Sequence, residues 1–161
     1  MTVETAIAAL QPVEPAYLNV LRVRAAVFWL PAFIGSLVVD RLLLGEIPAA
    51  GLLPVVVGLV ALSGITIAPN RIYRRLGYAI DDRLLRVVHG WLFHTDTIVP
   101  FVRVQHIDVT RGPIDKLFGT ASLVVHTAGT HNSIVVLPGL APGRAAEMRE
   151  TIRGSIRADA E

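Results

Sequence analysis

The sequence contains no cysteine, which excludes disulfide bonds and thiolate metal sites. Charged residues are also scarce: they make up 17% of the 161 residues, against 53% hydrophobic residues, an apolar composition for a soluble domain. The net charge of +2 gives no support for a nucleic-acid partner. No Gly-x-Ser-x-Gly or P-loop pattern occurs. We therefore assign no catalytic residue and no cofactor, and we expect a protein that is not an enzyme.

The shortage of charge is confined to one part of the chain. Residues 25–70 carry three charged side chains, Asp40, Arg41 and Glu46, whereas the C-terminal half has the composition of an ordinary globular domain. The first residues lack the basic start of a secretory signal peptide. We therefore divide the chain into an N-terminal segment over 1–24, an apolar part over 25–70, a globular domain over 71–157 and a tail over 158–161.

Two apolar runs predict a pair of transmembrane helices. The second, from Ile47 to Pro69, has 23 consecutive residues without a charge, and a bilayer core of about 30 Å needs roughly 20 helical residues. The first, over 25–44, is interrupted near its end by Asp40 and Arg41, which can reach the polar interface. The short connection makes the helices antiparallel neighbours. A re-entrant hairpin that does not cross the bilayer is the alternative.

The distribution of arginine predicts the orientation of this hairpin. Five arginines lie on the terminal side against one at the tip, and cytoplasmic loops carry such an excess. Both termini and the globular domain are therefore expected in the cytoplasm. Three of the five follow the second helix and can also attract anionic lipid at about 1 kcal/mol each, although the orientation rule alone accounts for them. These candidate lipid contacts are Arg71, Arg74 and Arg75.

Short β-strands ending in one helix are predicted for the globular domain. Turn residues separate strands over 78–80, 84–89, 91–100, 102–111, 122–127 and 133–137. Between them, a short helical turn follows Gly112-Pro113, and the spacing of Ile114, Leu117 and Phe118 predicts that all three face the core. An apolar stripe at Ala145, Met148, Ile152 and Ile156 indicates a C-terminal amphipathic helix. Six or seven strands closed by a helix are typical of a pleckstrin-homology-type barrel.

Several short motifs resemble those of the bacterial pleckstrin-homology proteins of the YdbS-like group. They are Val99-Pro100, Arg103-Val104-Gln105, Asp108-Val109, Gly112-Pro113-Ile114, Leu117-Phe118-Gly119-Thr120-Ala121 and Thr127-Ala128-Gly129. The resemblance covers roughly residues 15–156. It implies a two-helix transmembrane hairpin followed by a mainly-β pleckstrin-homology-like barrel capped by a C-terminal α-helix, as a multi-pass protein of the bacterial inner membrane.

Two groups of polar residues are candidate sites. Arg103 and Gln105 form either a contact surface, because arginine offers a planar fork of donors, or a structural tie in which Arg103 pairs with Asp108 or Asp115. Three histidines share one predicted sheet, but their spacing fits no known metal motif, so we predict no metal site. They are His106, His126 and His131.

The functional expectation is therefore a membrane-anchored interaction or scaffold protein. Its partner is expected to be another membrane protein, either a relative with several such domains or a second copy of this chain. The alternative is a lipid- or small-ligand-binding domain at the cytoplasmic leaflet. Phosphoinositide-binding pleckstrin-homology domains use a basic loop between their first two strands, whereas Asp81-Asp82-Arg83 occupies that position here. That turn argues against carrying the phosphoinositide activity over.

Overall fold

The computed structural model describes residues 10–45, 50–91, 93–128 and 134–158. Within these ranges the strands are β1 (Gln11–Pro12), β2 (Gly77–Ile80), β3 (Leu84–His89), β4 (Thr95–Pro100), β5 (Val104–Thr110), β6 (Ala121–Thr127) and β7 (Ile134–Leu140). The α-helices are α1 (Ala16–Val39), α2 (Leu52–Arg74), α3 (Pro113–Leu117) and α4 (Pro142–Ala158). A π-helical turn, Asp40–Leu44, prolongs α1, and a 3-10 turn, Phe101–Arg103, precedes β5.

The two long helices pack side by side and are apolar over their exposed surface. Each is long and apolar enough to cross a membrane. Phe28, Leu42 and Leu59 are more than half exposed, which suits a lipid environment better than water. The bounds differ from those of the apolar runs that predicted them: α1 begins at Ala16 rather than 25, and α2 begins at Leu52 and continues past Pro69 to Arg74.

Asp40, at the end of the first helix, forms hydrogen bonds with the residue that precedes the second helix. Its side chain does not project to an interface as expected but is buried, and its carboxylate oxygens accept the Gly51 N–H at 2.9 and 3.0 Å. Gly51 has φ +88°, a conformation that favours glycine, and it directly precedes α2. The aspartate therefore caps the start of the second helix.

Two antiparallel sheets form the barrel. Their strand orders are β1-β2-β3-β4 and β5-β6-β7. The core consists of alternate side chains from both sheets together with Ala145, Met148 and Ile152 of α4. Those three residues confirm the predicted amphipathic helix, and the architecture confirms the fold class.

The N-terminal segment belongs to this barrel, which the sequence division at residue 24 did not anticipate. Gln11 pairs with Tyr78 in the first sheet. Val13, Tyr17 and Val20 are at most 5% exposed and lie in the core cluster. The same helix thus begins in the barrel core and continues into the apolar hairpin, so α1 joins the two parts without a linker.

Leu117, which was predicted to face the core, is exposed, and two strands begin later than predicted. Leu117 of α3 is 76% exposed, because this short helix buries Asp115, two residues earlier and on the opposite face. The strand predicted from Trp91 begins at Thr95, and the one predicted from Val102 begins at Val104. Residues 129–133, among them His131, lie outside the described residues.

Candidate contact surfaces

Arg103 is the last residue of the 3-10 turn, and Gln105 is the second residue of β5, an edge strand of its sheet as described. Val104 pairs with Thr127 and His106 with His126, so Gln105 is the extra residue of a β-bulge. Val102, Arg103 and Gln105 are all exposed, and Val102 reaches 75%. We call these three side chains the β5 edge surface.

The expected pairing of Arg103 with Asp108 or Asp115 is wrong. Both carboxylates have other partners: Asp115 binds Arg24, and Asp108 contacts two histidines. Across the described ranges the Arg103 side chain has no hydrogen bond or ion pair, whereas its backbone carbonyl accepts the Ala128 N–H at 2.8 Å. The backbone of Arg103 thus holds β5 to the end of β6, and its guanidinium is available to a ligand.

Asp108 contacts two histidines on the outer face of the same sheet. His106 Nε2 lies 2.9 Å from Asp108 Oδ1, and His126 Nε2 lies 3.5 Å from Asp108 Oδ2. The imidazoles thus contact the carboxylate itself, and the ring centroids are 5.8 Å apart. Within the part of the chain that the structure describes, no group of three or more histidines or carboxylates could hold a metal ion.

A buried carboxylate ties the barrel to α1. Asp115 Oδ2 accepts the Arg24 guanidinium at 2.9 Å and the Gly112 N–H at 3.1 Å, and Oδ1 accepts the Thr120 hydroxyl at 3.3 Å. The Asp115 residue is 3% exposed. Sequence reasoning missed this site, although a carboxylate three residues after a helix-starting glycine is a known capping arrangement. The contact fixes α3 against the helix that continues into the hairpin.

The three arginines at the end of α2 are exposed. Arg71 and Arg74 lie in the last turn of the helix, where positive charge complements the helix dipole. Arg75 Nη1 donates to the Trp91 carbonyl at 2.6 Å. Trp91 belongs to the loop between β3 and β4, so the arginine connects the end of α2 to that loop.

One exposed ion pair changes the pKa of both its members. On neighbouring strands, Arg86 Nε donates to the two Asp96 oxygens at 2.8 and 3.0 Å, and Arg86 Nη2 also contacts the carboxylate. These hydrogen bonds lower the pKa of Asp96 and raise the pKa of Arg86. Since both groups face solvent, the pair is a surface feature of the β3–β4 hairpin and not part of a reactive site.

Together these features define a class: a barrel of the pleckstrin-homology type built directly onto a hairpin of two membrane-length helices. The family model for the bacterial PH domain matches residues 25–156, and this chain belongs to that family. The UPF0699 transmembrane protein YdbS of Bacillus subtilis (strain 168) is 32% identical over 88 residues, covering 55% of this chain and 54% of that protein.

These comparisons confirm the resemblance inferred from the motifs. The chain spans about half the length of the curated relative that it matches. No solved structure matches it. A transmembrane relative and two candidate spans identify this chain as a membrane protein, and neither comparison names an enzyme.

Proposed function

We propose that this protein is a non-enzymatic interaction or scaffold protein, which presents its barrel to another membrane protein on the cytoplasmic side of the bacterial inner membrane. The observation that carries the proposal is the β5 edge surface, where Arg103 and Gln105 are exposed at a bulge of an edge strand. The partner is either a relative with several such barrels or a second copy of this chain.

The chemistry of the β5 edge surface suits a protein ligand. Edge strands offer unpaired backbone groups to which a partner can add a strand or loop. The arginine fork can bind a carboxylate or backbone carbonyls in two-pronged geometry. Val102 beside it supplies exposed apolar area, and interfaces combine such apolar contacts with arginine.

The rigid junction with the membrane also supports this role. Because α1 runs from the barrel core into the hairpin and Asp115 binds Arg24 of that helix, the β5 edge surface has a defined position relative to the hairpin. A partner confined to the same bilayer meets it at a high effective concentration. A weak contact at the barrel is then sufficient for stable association.

The cytoplasmic placement rests on charge. With both helices described, Arg22 and Arg24 lie in α1 and Arg71 and Arg74 in α2, all on the barrel side of the apolar segments. Near the tip of the hairpin there is one arginine, Arg41. This asymmetry supports a cytoplasmic barrel and cytoplasmic termini.

Purification of the tagged chain from its native host in mild detergent, followed by mass spectrometry, tests the proposal. A specific membrane protein or a homo-oligomer should co-purify. Losing an arginine that anchors an interface costs about 2 kcal/mol, so the double variant Arg103→Ala, Gln105→Ala should bind its partner about 30-fold more weakly. Lys116→Ala is the control, since Lys116 is an exposed cation of α3, which follows the opposite end of β5, and it should leave association unchanged.

Two results would contradict the interaction role. One is recovery of the chain alone as a monomer, from several mild detergents. The other is equal recovery of the partner with the double variant and with the Lys116→Ala control, provided that both are folded. The second result would show that the partner does not bind at the β5 edge surface.

Lipid or small-ligand binding at the cytoplasmic leaflet is the second candidate function. It is favoured by the exposure of Arg71, Arg74 and Arg75 at the end of α2, where each arginine near an anionic surface contributes about 1 kcal/mol. A lipid or small ligand that co-purifies in stoichiometric amount, in place of a protein, would favour this candidate.

A further inference from the structure

The loop between β3 and β4 exposes two aromatic side chains. Trp91 is 50% exposed and Phe93 is 81% exposed, the largest exposed fraction of any large hydrophobic residue in the described ranges. In the sequence Leu92 lies between them, so three consecutive residues are apolar. Trp91 and Phe93 thus expose two large apolar side chains close together in the sequence, and exposed apolar patches commonly mark binding sites.

The residues described on either side of position 92 have a defined backbone. Gly90 has φ +151°, and a Cβ atom there would lie 1.8 Å from the Phe93 carbonyl oxygen, so only glycine permits this turn. Arg75 holds the next residue by its hydrogen bond to the Trp91 carbonyl at 2.6 Å. The turn and this hydrogen bond together fix where the two aromatic residues leave the barrel.

The topology places the loop at the end of the sheet nearest the membrane. β2 begins at Gly77, shortly after α2 ends, and Gly77 pairs with Val88 near the end of β3. The residues that follow β3 therefore lie next to the emerging helix. The turn at Asp81–Arg83 joins the other ends of β2 and β3, and it is directed away from the end of α2.

The distance along the chain agrees with the depth of the lipid headgroups. Arg75 follows Pro69, the last residue of the uncharged run, by six residues, which is about 9 Å at 1.5 Å per helical residue. The headgroup layer extends about 5–8 Å beyond each side of the hydrocarbon core. The loop that Arg75 contacts thus lies level with the headgroups or just outside them.

We propose that Trp91 and Phe93 insert into the interfacial layer of the leaflet from which α2 emerges, while Arg71, Arg74 and Arg75 contact anionic headgroups. Tryptophan is enriched at this depth because its ring is apolar and its N–H is polar. The neighbouring arginines match the negative charge of the leaflet. The loop is then a third attachment to the bilayer, beside the two helices, and it fixes the tilt of the barrel.

This inference does not depend on the proposed protein partner. It concerns the lipid surface, and it uses residues that are distinct from the β5 edge surface. Failure of one proposal therefore leaves the other standing.

The absence of cysteine permits a direct depth measurement on the full chain. Single-cysteine variants Phe93→Cys and Asp82→Cys would each carry a nitroxide label in liposomes of phosphatidylcholine and phosphatidylglycerol. We expect the label at 93 to be more accessible to oxygen than to a water-soluble nickel complex. At position 82, an exposed turn residue at the far end of the sheet, the ratio should be reversed.

Two outcomes would overturn the proposal. A label at 93 that is as accessible to the nickel complex as the label at 82 would place the loop in water. A label shielded from both reagents would show that protein, and not lipid, covers the loop.

Native tryptophan fluorescence controls for the apolar character of the label itself. The emission difference between the wild type and Trp91→Phe isolates the signal of Trp91 from that of Trp29. Lipids brominated close to the headgroup should quench this difference signal. An unquenched signal would contradict insertion, whatever the nitroxide labels report.

Discussion

Removing the carboxylate of Asp115 should destabilise the barrel more than any other single loss of an acidic side chain outside the hairpin. Its two oxygens accept the Arg24 guanidinium at 2.9 Å, the Gly112 N–H at 3.1 Å and the Thr120 hydroxyl at 3.3 Å. In Asp115→Ala all three donors lose this acceptor. Thr120 is fully buried, so water cannot replace the carboxylate there.

The magnitude follows from the exposure of each donor. A buried donor left unsatisfied costs about 1–3 kcal/mol. The Gly112 N–H is only half-buried, and the Thr120 hydroxyl keeps the Asp115 backbone carbonyl at 3.5 Å as a weaker acceptor. The Arg24 side chain is 47% exposed, so water can hydrate its charge and it adds little. We therefore expect Asp115→Ala to lower the free energy of unfolding by about 1–3 kcal/mol. Asp115→Asn, which keeps one acceptor oxygen, should lower it by about 1–2 kcal/mol.

Denaturant unfolding of the full chain in detergent micelles, followed by circular dichroism, measures these changes. Asp81→Ala is the control, because Asp81 is exposed and, among the described residues, its carboxylate accepts only the neighbouring Asp82 N–H. Its effect should stay within about 0.5 kcal/mol. Arg24→Gln combined with Asp115→Ala should be non-additive, since the two residues are in contact. An Asp115→Ala effect no larger than that of Asp81→Ala would refute the reasoning.

Four further predictions concern the whole chain and its surface. The protein should stay in the membrane pellet after an alkaline carbonate wash, and its release would contradict the hairpin. A reporter fused to the C-terminus should be active only if it is one that works in the cytoplasm. A tag inserted after Gly45 should be accessible from outside the cell, and the reverse pattern would refute the predicted orientation. Elemental analysis should find no stoichiometric transition metal, and about one metal per chain, lost with His106→Ala or His126→Ala, would contradict this. Arg86 lowers the pKa of Asp96 below its usual 3.8. The ion pair therefore stabilises the fold above pH 3.8, and this contribution to the free energy of unfolding is lost as the pH falls further. The Asp96→Asn variant should lack this loss of stability in acid.

The hairpin and the class of barrel could be predicted because their signals are local. An uncharged run of membrane length and a stripe of apolar residues on α4 depend only on neighbouring residues. The start of α1 could not be placed in the same way, because residues 16–24 mix charged and apolar side chains. Tyr17 and Val20 become core residues only through contacts with distant strands. Pro15, directly before the helix, is the one local signal that marked its start.

The partners of Arg103 and Asp115 were missed for the same reason: they depend on contacts between residues that are distant in the sequence. Arg24 and Asp115 are 91 positions apart, so no local pattern shows that they pair, and Arg103 was assigned to acids that are closer in sequence. The strand predicted over 91–100 was begun at Trp91 because Gly90 interrupts the pattern before it. The close approach of the Phe93 carbonyl to Gly90 makes that segment a turn instead.

The central claim is that the barrel presents the β5 edge surface to another membrane protein, and site-specific cross-linking tests it most directly. A benzoylphenylalanine at Val102, which is 75% exposed, should form a specific adduct with one membrane protein, or with a second copy of the chain, in membranes of the native host. The same amino acid at Lys116, exposed on α3 beyond the opposite end of β5, should form none. No adduct at Val102, or equal adducts at both positions, would contradict the claim.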